Sequence, residues 1–227
     1  MSNTEQLILR AWRRSDISSL VRYANNRKIW LNLRNIFPHP YTEAEAGRWI
    51  AICESNQGRL TNFAIELQGE AIGGIGYRLL DDVNCKTAVI GYWLGEPFWG
   101  RGIATAALKQ ATDHAFQSVS LERLEATVFE WNPASARVLE KAGYVLEGRL
   151  RRSIFKDGAP GRFVALCARP SLIGLVDSIS LPEAALDECI TLKTPKFAAH
   201  PISSWNCVEQ ATGMIVPHHA EPKHPAV

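Results

Sequence analysis

The chain has 227 residues, 46% hydrophobic and 21% charged, which is enough apolar material for a packed core and excludes wholesale disorder. Its formal net charge of +2 is too small to point to nucleic acid on charge alone. The apolar runs are too short for a membrane-spanning helix. The opening MSNTEQLILR lacks the basic-then-apolar pattern of a secretory signal, and position 2 is not the glycine that myristoylation requires.

Leu7–Trp12 reads as a strand. Ser15-Asp16 offers an N-cap, and Ile17, Leu20, Val21 and Ala24 follow at helical spacing. Thr42 with Glu45 forms a capping-box pair opening a second helix that carries Trp49 and Ile50 on one face. Asn62–Leu67, a turn at Gln68-Gly69-Glu70, and Ala71–Leu80 read as a hairpin, and Lys86–Leu94 as a further strand. Gly102–Gln117 has helical periodicity, Leu124–Phe129 is a strand, and Pro133–Ala142 is a short helix with proline in its first turn. Tyr144–Phe155 and Gly161–Ala168, joined through Lys156-Asp157-Gly158, form a closing hairpin. The resulting order, β-α-α-β-β-β-α-β-α-β-β, is an α+β, mixed-sheet layout.

Charge and proline usage change near residue 170. Residues 170–227 hold three Lys, no Arg, six acids and seven of the 12 prolines. Residues 1–169 are therefore expected to form the folded domain, and 170–227 a poorly ordered or loosely docked extension, with a short helix conceivable at 182–189. The five cysteines (Cys53, Cys85, Cys167, Cys189, Cys207) are odd in number and widely spaced, with no CxxC pair. Neither a disulfide framework nor a zinc site is expected, and a reducing cytoplasm is the default setting. His218, His219 and His224 with Cys207 lack metal-ligand spacing and read as a solvated tail.

The stretch that carries chemistry is Ile90–Gly148. A strand, IGYWL, leads through GEPF into WGRGIATAAL, so that Gly100, Arg101 and Gly102 precede a helix directly. A helix start presents unpaired N–H groups and partial positive charge, glycines let an anion approach the backbone, and Arg101 adds a guanidinium fork. Such a site suits a pyrophosphate. Tight connections use the same residues, so the turn alone is weak evidence; GxGxxG and GxxxxGK[ST] are both absent, which argues against nicotinamide and ATP. Some 30 residues on, Glu130-Trp131-Asn132-Pro133-Ala134-Ser135 opens a second helix ending in EKAGY. Asn132 is a good N-cap, and Ser135 in the first turn can point into a cleft.

Together these segments, GYWLGEPFWGRGIATAAL, WNPASARVLEKAGY and LRRSIFKDG, with LRNIFPHPYTEAEA nearer the amino terminus, resemble the GNAT superfamily of N-acetyltransferases, in the branch of the ribosomal-protein alanine acetyltransferases (RimJ/RimL type). The resemblance spans about residues 5–169. It implies a mostly antiparallel central sheet, flanked by helices, in which two parallel strands (here Lys86–Leu94 and Leu124–Phe129) splay and hold acetyl-CoA as co-substrate. It implies that backbone groups of Tyr92, Trp93 and Leu94 pair with the pantetheine arm. The turn from Trp99 and Gly100 through Arg101, Gly102 and Ile103 to Ala104 would hold the pyrophosphate, with Trp99 where many relatives have Gln or Arg. Asn132 would bond the pantetheine arm, and Ser135 would sit near the thioester sulfur.

The implied reaction is direct attack of an amine on a thioester. It needs a deprotonated amine, donors for the carbonyl oxygen and help for the departing thiolate. Backbone N–H groups at a strand bulge near Trp93–Leu94 are the candidate oxyanion donors, and Ser135 the candidate catalytic donor to the leaving group. Three positions depart from patterns common among relatives: Val89 stands where a basic Glu is frequent, Leu139 where an acidic Tyr is, and Phe163 where this branch often has Asp. The base is therefore open among an already neutral amine, a water chain, Glu43 and Glu45. The expected function is acetyl transfer to a primary amine, either a protein amino terminus or a small molecule, without nucleic-acid or membrane partners. The alternative is a catalytically impaired acyl-CoA sensor or scaffold.

Trp30 and Trp49 could line an acceptor pocket, although packing is the simpler role. His39 in FPHPYT is read as part of a turn, His114 as structural, and Arg149, Arg151 and Arg152 as a solvated face.

Overall fold

A computed structural model describes residues 7–55 and 61–170. The expectations for the tail, including its disorder, its histidines, Cys189 and Cys207, lie outside the described residues. The strands are β1 (Leu7–Arg10), β2 (Asn62–Leu67), β3 (Glu70–Leu79), β4 (Thr87–Leu94), β5 (Arg123–Phe129), β6 (Val145–Lys156) and β7 (Ala159–Ala168). The helices are α1 (Ile17–Ala24), α2 (Arg27–Trp30), α3 (Glu43–Ser55), α4 (Ile103–Ser118) and α5 (Pro133–Lys141). The strands form one mixed sheet in the order β1-β2-β3-β4-β5-β7-β6, antiparallel except for the β4–β5 pair.

The strand-and-helix order follows the sequence reading with one addition. Helix α2 is too short for periodicity to reveal; its marker is Asn26, whose side chain accepts from the Lys28 N–H and caps it. Strand β1 ends at Arg10 rather than Trp12. The Arg10 guanidinium pairs with Asp16, at 2.7 Å, and with Glu66 on the neighbouring β2, and Trp12 is buried under the helices that follow. Both hairpin turns use two residues with positive φ, Gln68-Gly69 and Asp157-Gly158, as tightly connected, right-twisted strands require.

Two cores sandwich the sheet. On one face α4 lays Ile103, Ala107, Leu108 and Ala111 against Ile75, Ile90, Leu94 and Leu124. Each large aliphatic side chain buried there stabilises the fold by roughly 1.5–3 kcal/mol. On the other face Trp12, Leu20, Ile29, Phe37, Trp49 and Trp93 gather under α1–α3. Strand β4 serves both, because alternate side chains point to opposite faces: Ile90 and Leu94 reach the α4 core, Trp93 the aromatic one. His114 is held from α4 by Tyr77, whose hydroxyl is 3.0 Å from Nδ1, and packs edge-on to Phe63, a structural role. Among the described residues no disulfide forms at Cys53, Cys85 or Cys167.

Candidate active site

The parallel pair at the centre of the sheet is short. Only Thr87, Ala88 and Val89 of β4 pair with Arg123, Leu124 and Glu125 of β5. Beyond Val89, β4 continues along β3 as far as Leu94, while β5 continues along β7 as far as Phe129. Each strand keeps one partner and turns its other edge to the space between them. That space is lined by Ile90, Gly91 and Tyr92 on one side and by Ala126, Thr127, Val128 and Phe129 on the other.

Hydrogen-bond parity identifies which β4 groups face the gap. Leu80 N–H donates to Thr87 O, and Gly95 N–H donates to Ile72 O, both across the β3–β4 ladder. The register between them is unbroken. Odd-numbered β4 residues therefore bond β3, and Ile90, Tyr92 and Leu94 turn their N–H and C=O edge-on towards β5. This corrects two expectations. No bulge interrupts β4 at Trp93–Leu94, and the Trp93 N–H belongs to the β3 ladder. The amides left over are those of Tyr92 and Leu94. The Leu94 carbonyl already accepts from Trp99 Nε1 at 2.7 Å, which ties the following turn to the strand end.

The gap widens into a cleft of about 380 Å³. Tyr92, Trp93, Leu94, Trp99, Gly100, Gly102, Ile103, Ala104, Asn132 and Ser135 all line it, so the strand, the glycine turn and the second helix start meet around one space. Gly100 and Gly102 have φ of +75° and +78°, and a Cβ at either would meet nothing within 4 Å. Glycine is needed here for conformation, since left-handed backbone is costly for other residues. Gly102 caps the 16-residue α4 and aims its first-turn N–H groups at the cleft. Arg101, expected as a phosphate fork, does not line the cleft; its guanidinium lies over the Phe98 ring, 5.7 Å from the centroid. Among the described residues, the cations on the wall are Lys28, Arg137 and Lys141, and no carboxylate lines the cleft. Arg137 and Lys141 sit four residues apart on α5, hence on one face, a spacing visible in the sequence but not drawn upon.

Asn132 is an N-cap: its Oδ1 accepts from the Ser135 N–H at 3.2 Å, which leaves the amide nitrogen for the cleft. Ser135 Oγ lies 2.8 Å from the Tyr92 hydroxyl, which is also 3.3 Å from the Ser135 carbonyl oxygen. Burial pushes the Tyr92 phenol up to about 12, with the Ser135 hydroxyl pulling the other way. The side chain of Tyr92 was not among the expected catalytic groups. Its signal was its even position on β4, one strand spacing from the gap-facing Ile90.

The cleft is roofed by Lys28, Ile29, Asn32 and Leu33 from α2 and the loop after it. The tip of the β6–β7 hairpin straps this roof down. Arg27 pairs with Asp157 at 2.7 Å, and Lys156, only 4% exposed, sets Nζ 3.6 Å from the Trp30 ring centroid and 3.0 Å from Asn35 Oδ1. Desolvation lowers the Lys156 pKa. Lys28 also pairs with Glu96. Trp30 thus belongs to the strap and His39 stacks beside it, 5.8 Å away. Arg149, Arg151 and Arg152 are exposed on β6.

None of the groups weighed as a base lies in the cleft. Glu43 and Glu45 are on α3, where Glu45 pairs with Arg48. Leu139 and Phe163 close the floor of the gap, and Val89 lies on the opposite face of β4.

A sheet whose central parallel strands part beside a glycine-capped helix is the arrangement that the sequence resemblance implied, and comparison with known proteins agrees. Residues 6–145 match the Acetyltransferase (GNAT) domain. An uncharacterized N-acetyltransferase p20 of Bacillus licheniformis is 32% identical over 155 residues, covering 65% of this chain and 84% of that protein. The ribosomal-protein-serine acetyltransferase of Escherichia coli is 31% identical, covering 69% and 88%. Among solved structures, Mycobacterium smegmatis RimJ in complex with CoA-disulfide superposes with a TM-score of 0.62 at 30% identity, covering 76% of this chain and 85% of that one. The chain belongs to the GNAT acetyltransferase family, and its relatives place it in the RimJ/RimL-type branch.

Proposed function

We propose that this protein transfers an acetyl group from acetyl-CoA to a primary amine, and that the acceptor is an α-amino group, as at a protein amino terminus, with small amines as the other candidates. One observation carries the reading: the parting of β4 and β5 after Val89 leaves main-chain groups of Tyr92 and Leu94 facing a cleft that runs on to the head of α4.

In this reading Tyr92 and Leu94 hold the amide-bearing pantetheine arm as a neighbouring strand would. The first turn of α4, with Arg137 and Lys141 facing it, holds the diphosphate. Asn132 supplies its free amide nitrogen to the same arm. An N–H on this edge that the arm leaves free is the donor to the carbonyl oxygen as charge gathers there; one such donor is worth roughly 3–4 kcal/mol. Ser135 and Tyr92 together hydrogen-bond the departing sulfur. An ordinary thiol titrates near 8.5, so a phenol raised to about 12 keeps its proton and stabilises the thiolate as a donor. The acceptor nitrogen then gives up its second proton to solvent.

Among the described residues, no Asp, Glu or His lines the cleft or the gap. Without a base the amine must arrive neutral. An α-amino group loses its proton near pH 7.7–8.0, a lysine-like amine only near 10.4. This supports an α-amine. The relatives named above include an enzyme acting on a ribosomal protein, which supports a protein acceptor.

The test is a thiol-release assay with acetyl-CoA and a panel of peptides with free amino termini, lysine-bearing peptides with blocked termini, and polyamines. Release above background, greatest with free amino termini at pH 8, is expected. CoA binding without release across the panel would contradict the reading.

A further inference from the structure

On the face of β4 away from α4 lies a second, small cavity of about 30 Å³, lined by Arg34, Trp49, Asn62, Arg78, Val89, Gly91 and Trp93, among others. Its polar side chains are mostly hydrogen-bond donors, with Asn62 Oδ1 an acceptor beside Gly76. The indole nitrogens of Trp49 and Trp93 are buried and have no hydrogen-bond partner. Arg34 and Arg78, both half-buried, pair with no carboxylate among the described residues, and no Asp, Glu or His lines the cavity. Burial, with the charge of Arg78 beside it, lowers the pKa of Arg34.

Such a cluster is costly when empty. Each buried donor left unbonded costs about 1–3 kcal/mol, and two guanidinium groups sharing one hollow repel. Water can accept from the donors but leaves the like charges uncompensated; a compact oxyanion answers both. The space suits a carboxylate-sized group. Glycines keep it open: a Cβ at Gly74 would lie 2.8 Å from Trp93 Nε1 and 3.0 Å from Trp12, and one at Gly76 would strike Asn62. Gly91 and Tyr92 line both this cavity and the gap where β4 and β5 part. The donor pocket therefore abuts the reaction space across β4, on the side away from α4.

Resting on the acetyl-transfer reading, we infer that this pocket binds a carboxylate of the acceptor, so that the preferred substrate is an amine bearing an acidic group near its nitrogen, such as a peptide whose amino-terminal residues include Asp or Glu. Arg78 and Arg34 are the specificity-determining residues, and the indoles of Trp49 and Trp93 complete the donor set.

The experiment compares peptides with free amino termini that differ only by Glu or Gln at position 2, 3 or 4, with a phosphoserine version of each. The best-placed Glu is expected to raise kcat/KM at least tenfold over Gln, chiefly through KM. Arg78→Gln and Arg34→Gln should drive that ratio towards one, while Arg78→Lys keeps part of it. In parallel, the amino-acetylated Glu peptide is titrated into labelled wild-type protein while the indole N–H resonances of Trp49 and Trp93 are followed. Downfield shifts with the Glu peptide and none with Gln are expected. Transfer to neutral peptides with a ratio near one at every position and unmoved indoles would overturn the pocket while leaving acetyl transfer standing. Indole shifts without thiol release from any acceptor would uphold the pocket and contradict the transfer reading. A phosphoserine peptide outrunning its Glu counterpart would overturn the carboxylate assignment.

Discussion

The two faces of β4 offer different kinds of group to the ligands proposed for them. On the α4 side the contacts come from main chain: the free edge of Tyr92 and Leu94, and the helix start after Gly102. On the other side they come from side chains brought from far apart, Arg34 after α2, Trp49 on α3, Arg78 on β3 and Trp93 on β4. A main-chain cradle leaves a compact trace in sequence, because φ near +78° strongly favours glycine and the helix must begin at a fixed offset. A side-chain pocket assembled from four segments leaves no local pattern.

The largest expected effect lies on the main-chain side. Gly102→Glu should weaken CoA binding about 100-fold, or about 2.7 kcal/mol, measured by calorimetry. Since a Cβ there meets open space, the loss comes from charge and backbone conformation. Gly102→Ala should therefore cost only about 1–2 kcal/mol of stability and change affinity far less. Equal losses in both variants would mean that the turn is held by shape rather than by anion binding.

Next comes the chemistry between the faces. Tyr92→Phe and Ser135→Ala should each lower kcat roughly tenfold with CoA affinity within about threefold. The double variant should lose less than the product of the two, because the hydroxyls share one hydrogen bond. Multiplicative losses would show two independent roles.

The pH profile sharpens the same point. With no Asp, Glu or His of the described residues in the cleft, kcat/KM should rise through the pKa of the acceptor amine, near 7.7–8.0 for an α-amine, and then level off. A phenol held at about 12 stays protonated across that plateau. Tyr92→Phe should lower the plateau without moving its midpoint, and an alkaline fall starting near pH 9–10 would contradict the assignment.

The smallest effect is at the strap. Arg27 and Asp157 are both substantially exposed, at 58% and 43% of the side chain, so their pair is worth at most about 1 kcal/mol. Asp157→Asn should shift Tm by no more than about 4 °C. The Glu96 carboxylate, held below its usual range by hydrogen bonds from Lys28 and Asn26, works in the same direction. A depressed carboxylate stabilises above its unfolded pKa of about 4.5 and loses that contribution as pH falls through the folded value. The roof should loosen only in acid, read as a rise in the KM for acetyl-CoA.

The strands and the longer helices were legible because β4, α4 and the hairpins carry clean periods of two and 3.6. The short α2 was not, since four residues cannot show a period, yet it roofs the cleft. Asn132 and Ser135 were legible through the cap at the start of α5. Arg101 lies off the cleft wall, because adjacency to a glycine turn says nothing of side-chain direction and Phe98 offers its guanidinium a ring to lie on. The role expected of Trp93 needed the strand parity, which only the β3 register supplies. Tyr92 stands in the GYWL run, but its partnership with Ser135 spans 43 residues and depends on α5 packing against the gap.

The central claim is that the space between β4 and β5 beyond Val89 receives the thioester carrier. A crystal structure of the protein with CoA tests it most directly. The account predicts the pantetheine amides bonded to the main chain of Tyr92 and Leu94, the diphosphate on the N–H groups that follow Gly102, and the sulfur beside Ser135 and Tyr92. A carrier bound elsewhere, or strands that close the gap when it binds, would contradict it.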